Sequence, residues 1–209
     1  NVKQVNYTPD TGADVAGNSL AAVVDGDVVE VDGAGPVMVA AETTSTTTID
    51  VTFSEDLNGT TDAVSDFTIS GVTVTCTSES GGVITLTTTA FGTGTTPLIS
   101  LVGNGVEDLP GNTSPSGQTI TSTDGVAPVI SSVTSTTPNG SYNDPDSINV
   151  TVNFSEAVTS TGLVTVTLDT GGSCGFNVTN ATSGSCSYVI ADGQNSVDLT
   201  TTLIAGTIN

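Results

Sequence analysis

The chain has 209 residues, of which 22 are Asp or Glu and one is Lys or Arg, so its formal net charge is −21 at pH 7. A surface with so few cations cannot neutralise phosphate groups, which argues against binding to nucleic acid, and an anionic membrane would repel it. The chain also contains no His, which removes the base of Ser-His-Asp and Cys-His catalytic sites. We therefore expect a protein that is not an enzyme.

The composition favours β-structure. Aromatic residues make up 4 % of the chain and Trp is absent, while Thr is abundant and forms runs such as residues 43–48. Thr is branched at Cβ and prefers pleated strands. The high net charge would also fit a disordered chain, but apolar residues alternate with polar ones along many segments. That period-two pattern predicts strands with one buried face, as in antiparallel sandwiches.

In chain order, residues 1–35 are predicted to form the terminal strands of one unit, with a valine-rich strand over residues 20–31. Residues 36–127 are predicted to form a complete unit, and residues 128–209 a further unit that lacks its last strand. The strands of these two units are predicted from alternating residues, all apolar except Thr88. They are Ile49, Val51 and Phe53; Phe67, Ile69, Val72, Val74 and Cys76; Ile84, Leu86 and Thr88; Ile148, Val150, Val152 and Phe154; Val164, Val166 and Leu168; Phe176 and Val178; Tyr188 and Ile190; Val197, Leu199 and Leu203.

Three short motifs recur along the chain in the same order. The matched pairs are Asp14-Val-Ala-Gly-Asn18 with Asp108-Leu-Pro-Gly-Asn112, Val31-Asp-Gly-Ala-Gly-Pro36 with Thr123-Asp-Gly-Val-Ala-Pro128, and Phe53-Ser-Glu55 with Phe154-Ser-Glu156. The period is roughly 90 to 100 residues, which is the size of one β-sandwich domain. The sequence therefore predicts a tandem array of sandwiches.

These motifs resemble those of immunoglobulin-like repeats in bacterial and archaeal surface proteins. The Phe-Ser-Glu strand end, the Asp-x-x-Gly-Asn turn and the Asp-Gly-x-x-Pro linker are similar to the SbsA-type Ig-like domain of S-layer proteins. Three further segments are similar to a repeat subtype frequent in giant adhesins: Tyr142-Asn-Asp-Pro-Asp146, Leu168-Asp-Thr-Gly-Gly172 and Ala191-Asp-Gly-Gln-Asn-Ser196. The resemblance covers nearly the whole chain. It implies an all-β fold of tandem immunoglobulin-like Greek-key β-sandwiches at the cell surface, outside the cell, and it implies no reaction.

Two interpretations of the unequal chain ends stay open. In one, the chain is a window from a longer array, such as the stalk of an adhesin. In the other, residues 20–31 of one copy fill the open sandwich of the next copy by donor-strand complementation, which would build a head-to-tail filament or layer. A carbohydrate-binding module is a weaker alternative, because sugar sites favour exposed aromatic rings and the chain has three Tyr and no Trp.

Covalent features fit an extracellular location. Cys174 and Cys186 flank a predicted hairpin centred near Asn180, and their spacing allows a cross-strand disulfide in an oxidising compartment. Cys76 is left over and is expected to be a buried free thiol. Asn-x-Ser/Thr sequons also make the chain a candidate glycoprotein. The glycosylation candidates are Asn6, Asn58, Asn112, Asn139, Asn149, Asn153, Asn177 and Asn180.

Structural calcium is the predicted cofactor. Uncompensated carboxylates repel one another in a compact fold, and hard cations prefer oxygen ligands. At each junction we expect an Asp from the late turn of one unit, an Asp from the linker and a Glu from the strand end of the next unit to converge. The candidate ligands are Asp14, Asp32 and Glu55, and then Asp108, Asp124 and Glu156. A catalytic carboxylate pair drawn from Glu55, Asp56 and Glu156 is a weaker interpretation, since a repeated strand end favours a structural role.

Overall fold

A computed structural model describes residues 32–59 and 63–209, together with Ala16 and Asn18. Within this part of the chain the structure is all-β apart from one 3₁₀ turn, Val64–Asp66. The strands are β1 (Met38–Ser45), β2 (Thr48–Phe53), β3 (Phe67–Ile69), β4 (Val74–Ser80), β5 (Val83–Thr88), β6 (Leu98–Leu101), β7 (Gln118–Thr121), β8 (Thr123–Asp124), β9 (Ile130–Thr134), β10 (Ser147–Val158), β11 (Val164–Leu168), β12 (Ser173–Phe176), β13 (Ala181–Val189) and β14 (Thr201–Ala205).

The period-two pattern produces strands with one buried face, as the sequence predicts. In β2, Ile49, Val51 and Phe53 are buried while the Thr and Asp residues between them are partly exposed. Strand β11 repeats the pattern, with Val164 and Val166 fully enclosed. The all-β prediction is thus confirmed for the described residues.

The first group of sheets surrounds one hydrophobic core. A five-stranded sheet runs in the order β4-β5-β2-β1-β8, and a three-stranded sheet in the order β3-β6-β7. All of these pairings are antiparallel except that of β1 with β8, which is parallel. The core residues are Ala41, Ile49, Val51, Phe53, Leu57, Phe67, Ile69, Val74, Ile84, Leu86, Ile99, Leu101 and Val106. This arrangement is consistent with a β-sandwich.

The second group of sheets has its own core. Two three-stranded antiparallel sheets, in the orders β13-β10-β9 and β12-β11-β14, face this core. The core residues are Val150, Val152, Phe154, Val158, Val164, Val166, Leu168, Phe176, Val178, Cys186, Tyr188 and Ile190. No helix in the described part of the chain is long and apolar enough to cross a bilayer.

The structure differs in two respects from the cysteine arrangement predicted from the sequence. Cys174 and Cys186 form a disulfide with their Cα atoms 5.7 Å apart. Cys174 lies on β12 and Cys186 on β13, which belong to different sheets, so the disulfide joins the two sheets rather than two strands of one hairpin. Cys76 is free, but it is exposed on β4 and the expectation of a buried thiol is wrong.

The last predicted strand is shifted along the chain. The alternation of Val197, Leu199 and Leu203 predicted one strand, but Val197 is fully exposed in a loop and β14 begins at Thr201. Leu203 lies on β14 with 57 % of its surface exposed, and Leu199 packs only partly against the core. The closing strand of this group therefore buries far less apolar surface than the pattern suggested.

Candidate functional site

The second group of sheets has an uncovered edge at β9. All five residues of β9 are exposed, including Ile130 and Val133. In the first group, β1 holds the matching edge position, and there Ala41 and Thr43 are buried. Both strands pair antiparallel with a long strand on one side, β9 with β10 and β1 with β2. The difference is that β1 has a neighbour on its other side, whereas β9 has none among the described residues.

The facing sheet is less well covered at β14. The core-facing residue of β14, Ile204, pairs with Val166 and is only partly buried, whereas Ile99 and Leu101 of β6 are 0 % exposed. In the first group, β7 pairs antiparallel with β6 and covers it. In the second group, β14 pairs with β11 alone among the described residues. Among the residues that the structure describes, both sheets of the second group therefore end in a strand with one neighbour.

The segment that covers the first group is short and continuous. Strand β7 extends the sheet of β6, and two residues later β8 extends the sheet of β1 in parallel, pairing Thr123 with Glu42 and Asp124 with Thr43. Residues 118–124 thus pass from one sheet to the other and cover that side of the core. After β14, residues 207–209 pair back onto residues 159–161, as residues 107 and 108 pair with residues 57 and 58 ahead of β7 in the first group.

Between β9 and β14 lies a groove of about 820 Å³. Its lining includes Val133 of β9, Thr201 of β14, Tyr188 and residues of the loops 137–142 and 194–200. Tyr188, at the base, is 1 % exposed and its hydroxyl is hydrogen-bonded to Thr170 and Gln194. The groove has a mixed polar and apolar lining and lies beside two strand edges that have no neighbour among the described residues. Such edges offer backbone N–H and C=O groups to an added strand. We call this feature the open groove.

A second feature is the Asp-x-x-Gly-Asn turn at residues 108–112. Asp108 is 0 % exposed, and its Oδ1 accepts hydrogen bonds from the backbone N–H of Gly111 at 2.7 Å and of Asn112 at 2.6 Å. The Asn112 amide donates to Asp108 Oδ2 at 2.7 Å and to the backbone oxygen of Asp32 at 3.1 Å. Burial acts to raise the pKa of Asp108, but these hydrogen bonds outweigh it and hold the pKa below its ordinary value of 3.8.

Carboxylates of Asp32, Glu55 and Asp108 meet beside this turn. One ligand oxygen from each lies within 4.8 Å of the others, and this group could hold a metal ion. Burial raises the pKa of Glu55 above its ordinary value of 4.5, and the negative charges of Asp32 and Asp108 raise it further. We call these three residues the acidic triad. It is the one such group among the residues that the structure describes.

The triad groups the predicted ligands differently from the expectation. Asp108 was expected to join Asp124 and Glu156 at the next junction, but it lies with Glu55 because residues 107 and 108 pair with residues 57 and 58 of the same group of sheets. Carboxylates from three of the predicted positions therefore meet, but Asp108 comes from the same group of sheets as Glu55 rather than from the preceding one. Asp14, the ligand expected beside Asp32 and Glu55, lies outside the described residues, as does Asn6.

A second pair of neighbouring carboxylates, Asp124 and Glu156, lies where residues 93–94 and 124–129 meet the end of β10. The Thr93 hydroxyl is hydrogen-bonded to Ser155 Oγ at 2.8 Å, and a Cβ placed on Gly94 would lie 2.7 Å from Glu156 Oε2. Glu156 Oε1 is enclosed and has no hydrogen-bond partner. Burial raises the pKa of Glu156 above its ordinary value of 4.5; the Thr93 hydroxyl lowers it, and the adjacent Asp124 carboxylate raises it again.

Replacing Glu156 with Gln is expected to raise the melting temperature at pH 7. The folded state holds the Glu156 proton more tightly than the unfolded chain does, so the ionised side chain destabilises the fold at pH 7. That cost falls as pH decreases through the raised pKa toward 4.5. Thermal unfolding of E156Q should therefore show a smaller gain in melting temperature between pH 7 and pH 5 than the parent. The exposed Asp192→Asn is the control for lost charge, and equal melting temperatures for the two variants at pH 7 would contradict the argument.

The glycosylation candidates differ in their surroundings. Asn139, Asn177 and Asn180 are exposed, whereas the Asn112 amide is engaged in the turn at residues 108–112. Asn153 donates to Ser132 and Thr134, Asn149 accepts from Thr136 and Thr151, and Asn58 is partly buried. The three exposed sites are therefore the ones that a glycan can reach without breaking these contacts.

Comparison with protein-family models, curated proteins and solved structures found no match for this chain. The interpretation of the open groove and of the acidic triad therefore depends on their own geometry and on the sequence.

Proposed function

We propose that this protein is an extracellular structural protein, a subunit of a cell-surface filament or layer that assembles head-to-tail by donor-strand complementation. The observation that carries the proposal is the open groove, whose two unpaired strands, β9 and β14, hold the positions that β8 and β7 cover in the first group of sheets. The donor is the N-terminal segment of another copy, in which residues 20–31 form the donated strand.

The two groups of sheets have matching local contacts, which support tandem Ig-like sandwiches. The backbone N–H of Ser54 donates to the oxygen of Val37, and the Val37 N–H donates to Ser54 Oγ. The same reciprocal pair joins Ser155 and Val129. The recurring Phe-Ser-Glu strand ends and the residues after the two linkers thus occupy equivalent positions, as expected for two copies of one Greek-key unit.

The donor segment has the sequence of the strands that the second unit needs. The linker match aligns Val31 and Asp32 with Thr123 and Asp124, which form β8. Continuing this alignment toward the N-terminus places residues 26–29 at the positions of β7. Val28 then takes the place of Ile120, which packs against the core of the first unit. The structure of residues 20–31 lies outside the described part of the chain, so this assignment rests on the sequence.

A donated strand would produce an open chain of subunits. The donor strand precedes the first group of sheets and the open groove belongs to the second, so each contact is head-to-tail and leaves both partners able to bind again. Electron microscopy of the purified full chain, with and without residues 1–31, tests the proposal. Filaments that disappear on truncation are the expected result; monomers in both samples would contradict it and favour the alternative of a stalk segment within a longer adhesin.

We also propose that the acidic triad binds structural calcium. Asp32, Glu55 and Asp108 offer oxygen ligands of the kind that Ca²⁺ prefers, and the single cation of the sequence, Lys3, cannot compensate a net charge of −21. An ion that binds only the folded state stabilises it by about 2.7 kcal/mol when its concentration is 100 times the Kd.

Calcium should therefore raise the melting temperature at low salt, and EDTA should reverse the shift. In Glu55→Gln, which lacks one carboxylate of the acidic triad, the shift should be reduced, whereas Glu79→Gln on β4 should keep it. MgCl₂ at the same concentration controls for general screening of the negative surface. A melting temperature that does not respond to EDTA would rule out structural calcium.

A further inference from the structure

The loop that joins β5 to β6 in the first unit contacts the second unit. In this loop Thr93 has only 9 % of its surface exposed, and its hydroxyl donates to Ser155 Oγ at 2.8 Å. Ser155 belongs to β10, the long strand of the second unit. A nearly buried hydroxyl group of the first unit is therefore hydrogen-bonded to a strand of the second unit.

The Ser155 hydroxyl also holds the end of the linker between the units. The backbone N–H of Val129 donates to Ser155 Oγ at 2.9 Å, and the Ser155 N–H donates to the oxygen of Val129 at 2.8 Å. At the other end of the linker, the Gly125 N–H donates to Thr43 Oγ1 at 3.2 Å. Residues 126–128 lie between these two anchors. A short linker joining two separate cores would normally allow relative motion of the units, and the contact of Thr93 with Ser155 opposes that motion.

Gly94 allows the loop to approach β10 closely. A Cβ placed on Gly94 would lie 2.7 Å from Oε2 and 3.0 Å from Cβ of Glu156. A branched side chain at this position would therefore have to push Glu156 and the loop apart. Thr93 supplies the hydrogen bond of the contact, and Gly94 supplies the space for it. We call residues 92–95 the latch loop.

Glu156 makes this contact easier to open. Its Oε1 is enclosed and has no hydrogen-bond partner, and the Asp124 carboxylate of the linker lies beside it. An enclosed polar atom without a partner costs free energy, and neighbouring carboxylates repel each other. Separation of the latch loop from β10 relieves both costs, because water then reaches the two carboxylates. The contact can therefore open at a lower cost than the unfolding of either core.

We propose that the latch loop is a releasable lock between the two units: closed, it fixes the orientation of the second unit relative to the first, and open, it lets them move about residues 126–128 while both cores stay folded. The inference goes beyond the proposed function and does not depend on strand donation. The lock is held by one hydroxyl contact, whereas each core is held by its own set of buried apolar side chains. A chain with such a joint bends or extends under load before either unit unfolds.

Distances between two spin labels, measured by pulsed electron paramagnetic resonance on the full chain, test the lock. Cys76, the exposed free thiol of β4, carries the label of the first unit, and Asp192→Cys provides an exposed site in the second unit. The parent should give one narrow distance distribution. Thr93→Val should raise the ratio of open to closed molecules about two- to tenfold, which is the effect of losing one hydrogen bond. Gly94→Val should broaden the distribution further.

Two further variants complete the test. Gly162→Val is the matched control, since a Cβ on Gly162 would meet nothing within 4 Å, and it should keep the parent distribution. Glu156→Gln added to Thr93→Val should restore much of the narrow distribution, because the amide removes one charge and can donate to Asp124.

A parent distribution as broad as that of Gly94→Val would overturn the lock, as would Thr93→Val and Gly94→Val variants that keep the parent distribution. A double variant as broad as Thr93→Val alone would overturn the role assigned to Glu156. Melting temperatures of the two single variants should stay close to that of the parent, because the lock lies outside both cores.

Discussion

Replacing Val28 with Asp should abolish filament formation by the full chain and leave the folded core intact. By alignment Val28 takes the position of Ile120, which packs against the core of the first unit from β7. In the second group of sheets an aspartate at this position would face the core from the edge of β14, as Ile120 faces the first core from the edge of β6. Transfer of an unpaired carboxylate into such surroundings costs at least several kcal/mol, which is enough to raise the dissociation constant of each junction more than a thousandfold.

Two further valine-to-aspartate substitutions serve as the control and as the complementary variant that alters the groove. Val102→Asp changes a valine that is half exposed in the first unit and should leave assembly unchanged. Val133→Asp places a carboxylate on the lining of the open groove at a position already partly exposed, so it should block the acceptor without unfolding it. Sedimentation and electron microscopy then measure assembly. Mixing V28D with V133D should give dimers only, because V133D supplies an intact donor strand and V28D supplies an intact groove. Filaments formed by V28D alone would disprove the assignment of Val28 to the donor strand.

Much of the fold could be predicted because burial follows the strand period. Ile49, Val51 and Phe53 alternate with polar residues, and no helical pattern competes with them, so both the element and its buried face follow from the sequence. The same holds for Val150, Val152 and Phe154 of β10.

The closing strand could not be predicted in the same way. Val197 belongs to the alternating pattern of its neighbours, but it lies in a loop and is fully exposed, because no described strand covers β14 at that edge. Cys76 is a comparable case, since it continues the alternation of Val74 but lies outside the core on the outer strand β4. Period-two alternation identifies strands, whereas the burial of an edge strand depends on which neighbour it acquires.

The acidic triad, too, could be predicted only in part from the sequence. The residue types and the repeated positions of Asp32, Glu55 and Asp108 were evident from the sequence. Which carboxylates meet depends on the bridge between Leu57 and Asp108, a contact between segments some 50 residues apart. No local pattern encodes that bridge, so the expected grouping of Asp108 with the following junction was wrong.

The open groove also explains how an acidic protein can use an unpaired edge. Exposed edge strands invite pairing with other chains, and β9 and β14 are two such edges in one unit. A net charge of −21 opposes indiscriminate association between copies. In the proposed assembly, the valine-rich donor would still form hydrogen bonds along the edge, and the groove would select for that segment.

Removing the disulfide should destabilise the second unit and weaken assembly. Cys174 and Cys186 connect the sheets on either side of its core, and the bond closes a loop of 12 residues. Cross-links that close loops of this size stabilise a protein by about 3 kcal/mol. The effect is expected to be large in this unit, because the described residues leave one side of its core without a covering strand, so fewer contacts hold the two sheets together.

Denaturant unfolding of Cys174→Ala/Cys186→Ala measures this effect, with Cys76→Ala as the matched control, since that thiol is free and exposed. The double variant should lose about 3 kcal/mol in the unfolding of the second unit, and the control should not differ from the parent. If the donor strand completes the same core, assembled filaments of the double variant should recover part of the lost stability, because binding to the folded state stabilises it. A double variant as stable as the parent before assembly would mean that the two sheets hold together without the disulfide.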